Sequence, residues 1–252
     1  MPEIVPAPFA PRGTRGEPWL VAVPGLGLSA AVPRRTFDRL TRPSRVVELP
    51  AFGRPAPPGT ALAPGNLAGQ LLARLEALAV GRAVLVGHSA SCQLVAAAAA
   101  KAPERAAGLV LIGPTTDPRA SSWPALAGRW LRTAGHEWPG QVPQLVHDYT
   151  RTGLGAMLRG MRAARPHRID ETLAAVHCPV LVVRGLYDRI APADWTAALA
   201  AATPHGRAHT LPAGGHMVPI THPAALAAVI EEFLSAIDDP DPDDEVTDLA
   251  RT

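Results

Sequence analysis

Ala83-Val84-Leu85-Val86-Gly87-His88-Ser89-Ala90-Ser91-Cys92-Gln93-Leu94-Val95 is the stretch that decides the fold. The apolar run Ala83 to Val86 reads as a buried strand, and Leu94, Val95 and Ala96 to Ala100 read as a helix behind it. Between them Gly87-His88-Ser89-Ala90-Ser91 must turn sharply. A serine held on a tight strand-to-helix turn has its hydroxyl pushed clear of the sheet, where a base can reach it. Small residues are needed because strand, helix and neighbouring backbone crowd together there. The following helix turns unpaired backbone N–H groups toward any oxyanion formed at Ser89. Ser91 stands where a second glycine would complete the Gly-x-Ser-x-Gly pattern, and its extra hydroxymethyl group predicts a slightly looser turn.

On either side the same alternation recurs. Trp19 to Val23 reads as a strand broken at Pro24-Gly25-Leu26-Gly27, and Arg45 to Pro50 as the next one. Asn66 is placed to cap a helix with Leu67, Leu71, Leu75 and Leu78 on one face. Further strands follow at Gly108 to Gly113, Pro179 to Gly185 and Ala208 to Leu211, and a last helix runs from about Pro223 to Ile237. Near-continuous Val/Leu/Ile strands alternating with helices predict an α/β fold: a mostly parallel sheet covered by helices on both faces. The stretch 116–177 breaks the alternation, with Trp123, Trp130 and Trp138, prolines, and a helical stripe of Leu154, Met157, Leu158 and Met161. Sixty-odd residues without a strand predict an inserted helical cap between core segments 18–115 and 178–237.

The chain has 252 residues, 47% of them hydrophobic and 18% charged, which suits a globular protein with a sizeable core. Basic residues are nearly all arginine, with Lys101 the only lysine, and proline reaches 28; this reads as compositional bias and not as nucleic-acid binding. Net charge is +2 but uneven, because seven acids and one arginine fall between Asp238 and Thr252. That Pro/Asp-rich end predicts a disordered acidic tail over 238–252, and residues 1–17 read as a loose N-terminal segment. No apolar leader or membrane-spanning run is evident, so the expected location is cytoplasmic, with no membrane partner. Cys92 and Cys178 suggest neither a disulfide framework nor a metal site, and no cofactor is expected.

A serine nucleophile needs an imidazole base and a carboxylate to orient it. Both are expected beyond the carboxyl ends of parallel strands. Asp188 lies just past the strand ending at Gly185, and His216 lies past the strand ending at Leu211. Asp117, after the strand ending at Gly113, is a competing acid, although a loop or capping role suits it better. Pro179-Val180-Leu181-Val182-Val183-Arg184-Gly185-Leu186-Tyr187-Asp188, Ala213-Gly214-Gly215-His216-Met217-Val218-Pro219 and Glu48-Leu49-Pro50-Ala51-Phe52-Gly53 join the Ser89 turn in the order Ser…Asp…His. With them the chain resembles the α/β-hydrolase superfamily from about Pro18 to Ile237.

The resemblance implies a Ser89–His216–Asp188 triad under a cap, with the backbone N–H groups of Leu26 and Ala90 as oxyanion donors. Where the family usually carries His-Gly, this chain has Pro24-Gly25. The implied activity is hydrolysis of a carboxylic ester or thioester, as an esterase. A serine in place of aspartate argues against dehalogenase or epoxide-hydrolase chemistry. The alternatives are a lyase or C–C bond-cleaving enzyme reusing the same residues, and a non-catalytic binder. Trp123, Trp130, Trp138, Tyr149, Met157 and Met161 are expected to supply pocket lining for an apolar, small-molecule acyl group. Between Arg119 and Arg168 the cap holds eight arginines against Glu137 and Asp148, either a solvated face or an attractor for a carrier-bound acyl donor.

Overall fold

The computed structural model describes residues 18–239, so the expectations for residues 1–17 and 240–252 lie outside the described residues. The chain begins with β1 (Trp19–Val23), α1 (Ala31–Phe37), β2 (Ser44–Val46), and the short strands β3 (Leu49–Pro50) and β4 (Gly53–Arg54). There follow α2 (Pro64–Ala77), β5 (Ala83–His88), α3 (Ser91–Lys101) and β6 (Ala106–Ile112). Four helices then come without a strand: α4 (Trp123–Ala134), α5 (Val142–Thr152), α6 (Leu154–Ala164) and α7 (Ile169–Leu173). The chain returns through β7 (Val180–Gly185), α8 (Ala193–Ala201), β8 (Gly206–Leu211), α9 (Val218–Thr221) and α10 (Pro223–Asp238).

Six strands form one sheet in the order β2-β1-β5-β6-β7-β8, and every neighbouring pair is parallel. Side chains alternate between its faces, and each face carries its own core. Val21, Leu85, Leu109, Leu111 and Val182 meet α2, α3, α7 and α8 through Leu71, Leu94, Leu173 and Leu199. Leu20, Val84, Val86, Val110 and Val183 meet α1 and α10 through Phe37, Ile230 and Leu234. Burial on both sides is why these strands lack a polar alternate. The arrangement puts the carboxyl ends of β1, β5, β6, β7 and β8 along one edge, where the loops carrying Leu26, Ser89, Gly113, Asp188 and His216 emerge.

Several local expectations need correcting. The strand expected over Arg45 to Pro50 breaks after Val46, although Val47 N–H still donates to Ala22 O. Glu48 turns aside because its carboxylate accepts from Ala30 N–H and pairs with Arg151. Asn66 is not the cap of α2: the helix starts two residues earlier at Pro64, whose fixed φ suits the first turn. The last helix extends to Asp238, where an ion pair with Arg42 holds what was expected to be the first residue of the tail. Within the stretch read as a cap, α7 joins the sheet's helical layer, with Ile169 and Leu173 fully buried against α3. Segments α4 to α6 are the part that lies off the sheet.

Candidate active site

Ser89 sits at φ +60°, a left-handed conformation that costs a non-glycine residue on the order of 1–2 kcal/mol. Gly87 is required two residues earlier, because a Cβ there would lie 2.7 Å from Cys92 Cα and 2.8 Å from Cys92 N. Ser89 N–H donates to Ile112 O across the neighbouring strand (2.8 Å), which pins the turn to β6. The turn is not loosened at Ser91. Its hydroxyl is fully buried, accepts from His88 N–H at 2.7 Å, and lies 2.9 Å from both Val23 O and His88 O. Serine at this position therefore ties the turn to the end of β1, a bond that glycine lacks.

Asp188 and His216, 28 positions apart in the sequence, meet at Ser89. His216 Nε2 lies 2.8 Å from Ser89 Oγ, and His216 Nδ1 lies 2.8 Å from Asp188 Oδ2. Asp188 is fully buried, and its other oxygen accepts from the backbone N–H groups of Ile190 (2.9 Å) and Ala191 (3.0 Å). Burial opposes ionisation of Asp188, but His216 and these two amides outweigh it and hold the carboxyl below its usual value. Burial also opposes protonation of His216, yet Asp188 and, more weakly, Glu137 raise it above the ordinary 6.5. Asp117, the competing acid, faces Arg119 and Arg129 at 2.8 Å each and not His216.

Four further residues hold the loops of the site. His88 Nε2 donates to His216 O at 3.1 Å; burial, then the His216 charge, push His88 down to about 3, so it is neutral. Glu137, between α4 and α5, accepts through Oε1 from His216 N–H (2.6 Å) and Met217 N–H (3.0 Å). Asp148 on α5 is buried and accepts from Ser29 N–H (3.0 Å), while Thr152 Oγ donates to Gly27 O (3.2 Å). No local pattern marks a helical acid that serves a backbone amide about a hundred residues away.

Leu26 N–H and Ala90 N–H donate to no protein acceptor among the described residues, whereas Gly27 N–H is committed to Ala51 O and Leu28 N–H to Gly25 O. Tyr149 and Met157 pack against Gly27, and the Leu26 side chain packs on Gly160 of α6. The tryptophans do otherwise: Trp123, Trp130 and Trp138 are 41%, 53% and 56% exposed, and Met161 is half-buried. Trp123 lies under the Arg165 guanidinium (4.7 Å) and Trp138 folds over Gly140, so neighbours in their own segment hold these two rings. The tryptophans thus lie largely at the surface of the insert, whereas Met157 packs against Gly27 of the loop that carries Leu26.

Most insert arginines have partners. Arg119 and Arg129 hold Asp117, Arg151 pairs with Glu48, Arg168 with Asp170, Arg159 donates to Ala56 O, and Arg165 to Ser121 O. A cavity of about 580 Å³ nevertheless opens among Arg119, Arg129, Arg132, His136, Arg189 and Asp194. Among the described residues no group of His, Cys, Asp and Glu has a metal-ligating arrangement, and no helix is long and apolar enough to cross a membrane.

A parallel sheet with a serine on a strained turn, an imidazole and a buried carboxylate at its carboxyl edge defines a class, and residues 16–229 match the model of the alpha/beta hydrolase family. The chain belongs to that family. It is 26% identical over 256 residues to the pimeloyl-[acyl-carrier protein] methyl ester esterase of Yersinia enterocolitica, covering 85% of this chain and 92% of that protein. It is 28% identical over 247 residues to the uncharacterized hydrolase YugF of Bacillus subtilis, covering 87% of this chain and 90% of that one. A hydrolase from Pseudomonas aeruginosa PA01 superposes with a TM-score of 0.70 at 24% identity, covering 88% of this chain and 91% of that structure. The likeness to hydrolases is general at these identities.

Proposed function

We propose that this hydrolase cleaves a carboxylic ester or thioester through an acyl-enzyme on Ser89. The observation that carries this reading is the continuous hydrogen-bonded line Ser89 Oγ–His216 Nε2, His216 Nδ1–Asp188 Oδ2, at 2.8 Å in both steps. In the mechanism, Ser89 Oγ attacks the acyl carbon as His216 Nε2 takes its proton. The negative charge forming on the carbonyl oxygen is met by Leu26 N–H and Ala90 N–H, which have no internal acceptor among the described residues. His216 then gives the proton to the leaving oxygen or sulfur as the tetrahedral adduct collapses. Water, deprotonated by the same imidazole, attacks the acyl-enzyme, and as the second adduct collapses His216 returns the proton to Ser89 Oγ and the acid leaves. Asp188 keeps Nδ1 protonated throughout and stabilises the imidazolium.

The substrate in this reading carries an apolar acyl group larger than acetyl, because Tyr149 and Met157 flank the oxyanion loop at Gly27. The arginine-lined cavity, and the relative named for an acyl-carrier substrate, support a carrier-bound acyl donor. Cys92 and Cys178, both free thiols, suit a reducing compartment, and the cytoplasm is the location this reading takes.

The test is fluorophosphonate labelling alongside a panel of p-nitrophenyl esters of increasing chain length. Wild-type protein is expected to be labelled at Ser89 and to prefer medium chains. Ser89→Ala should lose labelling and about a thousandfold or more in turnover while remaining folded. Labelling without ester turnover would favour a lyase or C–C bond-cleaving reaction, and absence of labelling would favour a binder.

A further inference from the structure

We propose that Glu137 is the positioning residue of the His216 imidazole: the insert delivers a carboxylate to the backbone on which the base is mounted, holding it at Ser89 and balancing the imidazolium as it forms. The proposal rests on the hydrolase reading above. Its first support is geometric. Glu137 Oε1 accepts from two successive amides, His216 and Met217, at 2.6 and 3.0 Å, while Gln141 Nε2 steadies Oε2 at 3.1 Å. Carboxylates accepting from backbone N–H groups make bonds roughly twice as strong as neutral ones. At the other end of the same residue His88 donates to His216 O at 3.1 Å. The peptide units on both sides of the imidazole are thereby held by side chains from different elements.

The second support is the space kept for this carboxylate. A Cβ at Gly215 would lie 2.6 Å from Glu137 Oε1, so the residue before the histidine leaves room for the carboxylate to reach the loop. The third is charge. Among the described residues no arginine or lysine pairs with Glu137, in a segment where most other charges are matched. The positive charge created on His216 during turnover is the one it meets. Around that imidazole stand Asp188 from the loop after β7, neutral His88 at the end of β5 (ring centroids 5.1 Å apart), and Glu137 from the insert. Glu137 therefore adds to Asp188 in favouring the protonated ring.

A tether that only fixed the insert would act on stability alone, so the experiment separates charge, position and folding. In the full chain, Glu137→Gln keeps an oxygen for both amides and removes the charge, whereas Glu137→Ala removes both. Each is compared with wild type for kcat and KM on a p-nitrophenyl ester across pH, for the His216 imidazole titration by NMR, and for melting temperature. Glu137→Ala is expected to lose about ten- to a hundredfold in kcat with little change in KM, as the ring drifts from Ser89. Glu137→Gln should keep most of kcat but shift the acid limb of kcat/KM, and the NMR titration, to lower pH. That sign follows because turnover needs neutral His216, and losing a nearby negative charge makes the ring easier to deprotonate.

Wild-type kcat and an unmoved titration in both folded variants would overturn the proposal, even if both melt earlier. Should Glu137→Ala fail to fold, an unmoved titration in Glu137→Gln overturns it alone. The NMR titration needs no substrate. A failure of Ser89 labelling in the wild-type protein would therefore count against the hydrolase reading without deciding the Glu137 result.

Discussion

At the scale of single residues, two positions separate what a motif says from what the local physics does. Ser91 departs from the expected glycine, and its buried hydroxyl bonds His88 N–H and faces Val23 O and His88 O. Restoring the pattern with Ser91→Gly should therefore destabilise the protein by about 1–3 kcal/mol, since buried backbone groups lose a partner and glycine adds freedom to the unfolded chain. Urea melts check this, and an unchanged or increased midpoint would contradict it. The acids make the second case. Asp188 and Asp117 both follow strand ends, but only Asp188 bonds the His216 ring, while two arginines occupy Asp117. Asp188→Asn is expected to lower kcat by on the order of 10³ or more with the fold intact. Asp117→Asn should affect stability near the start of α4 and leave kcat within a few-fold. Steady-state kinetics of the two variants decides the matter.

At the scale of elements, hydrophobic period gave the type of element better than its ends. The strands at β1, β5, β6 and β7 were legible because both faces are buried and the residues run Val, Leu and Ile without a polar alternate. Ends were less legible because long-range partners set them, as Glu48 does where the strand breaks before β3. Helix α2 shows the same limit. Leu71 and Leu78 belong to one stripe in the sequence, but Leu71 is fully buried against the sheet, while Leu78 lies past the last helical residue and is 40% exposed. Leu71→Ala should cost about 2–5 kcal/mol, and Leu78→Ala should fall within about 0.5 kcal/mol of wild type. Equal losses in denaturant melts would mean that the helix continues and buries both.

At the scale of the whole molecule, the insert is joined to the site's loops instead of resting loosely over them. Glu137 bonds the His216 loop, Asp148 and Thr152 bond the loop carrying Leu26, and Leu145 and Tyr149 share a small apolar cluster with Leu28, Val32, Met217 and Ile220. Bonds and apolar contacts to two separate loops predict that insert and sheet unfold together. Calorimetry is expected to give a single transition, with equal calorimetric and van't Hoff enthalpies. A separate low-temperature transition lost on limited proteolysis of α4 to α6 would show that the insert melts by itself.

The sequence alone determined the parallel α/β architecture, and it marked Ser89, Asp188 and His216 as candidates. Buried strands need unbroken apolar runs, and residues at the carboxyl ends of such strands fall on one edge whatever their separation along the chain. Only the tertiary structure decided which acid meets the imidazole, that Ser91 ties its turn to β1, and that the tryptophans of the insert stay largely at the surface. It alone joined Glu137 to His216, 79 positions away. A carboxylate that binds backbone amides needs no particular residue type in its partner, so no pattern of side chains records the pairing, and only the folded path of the chain brings the two together.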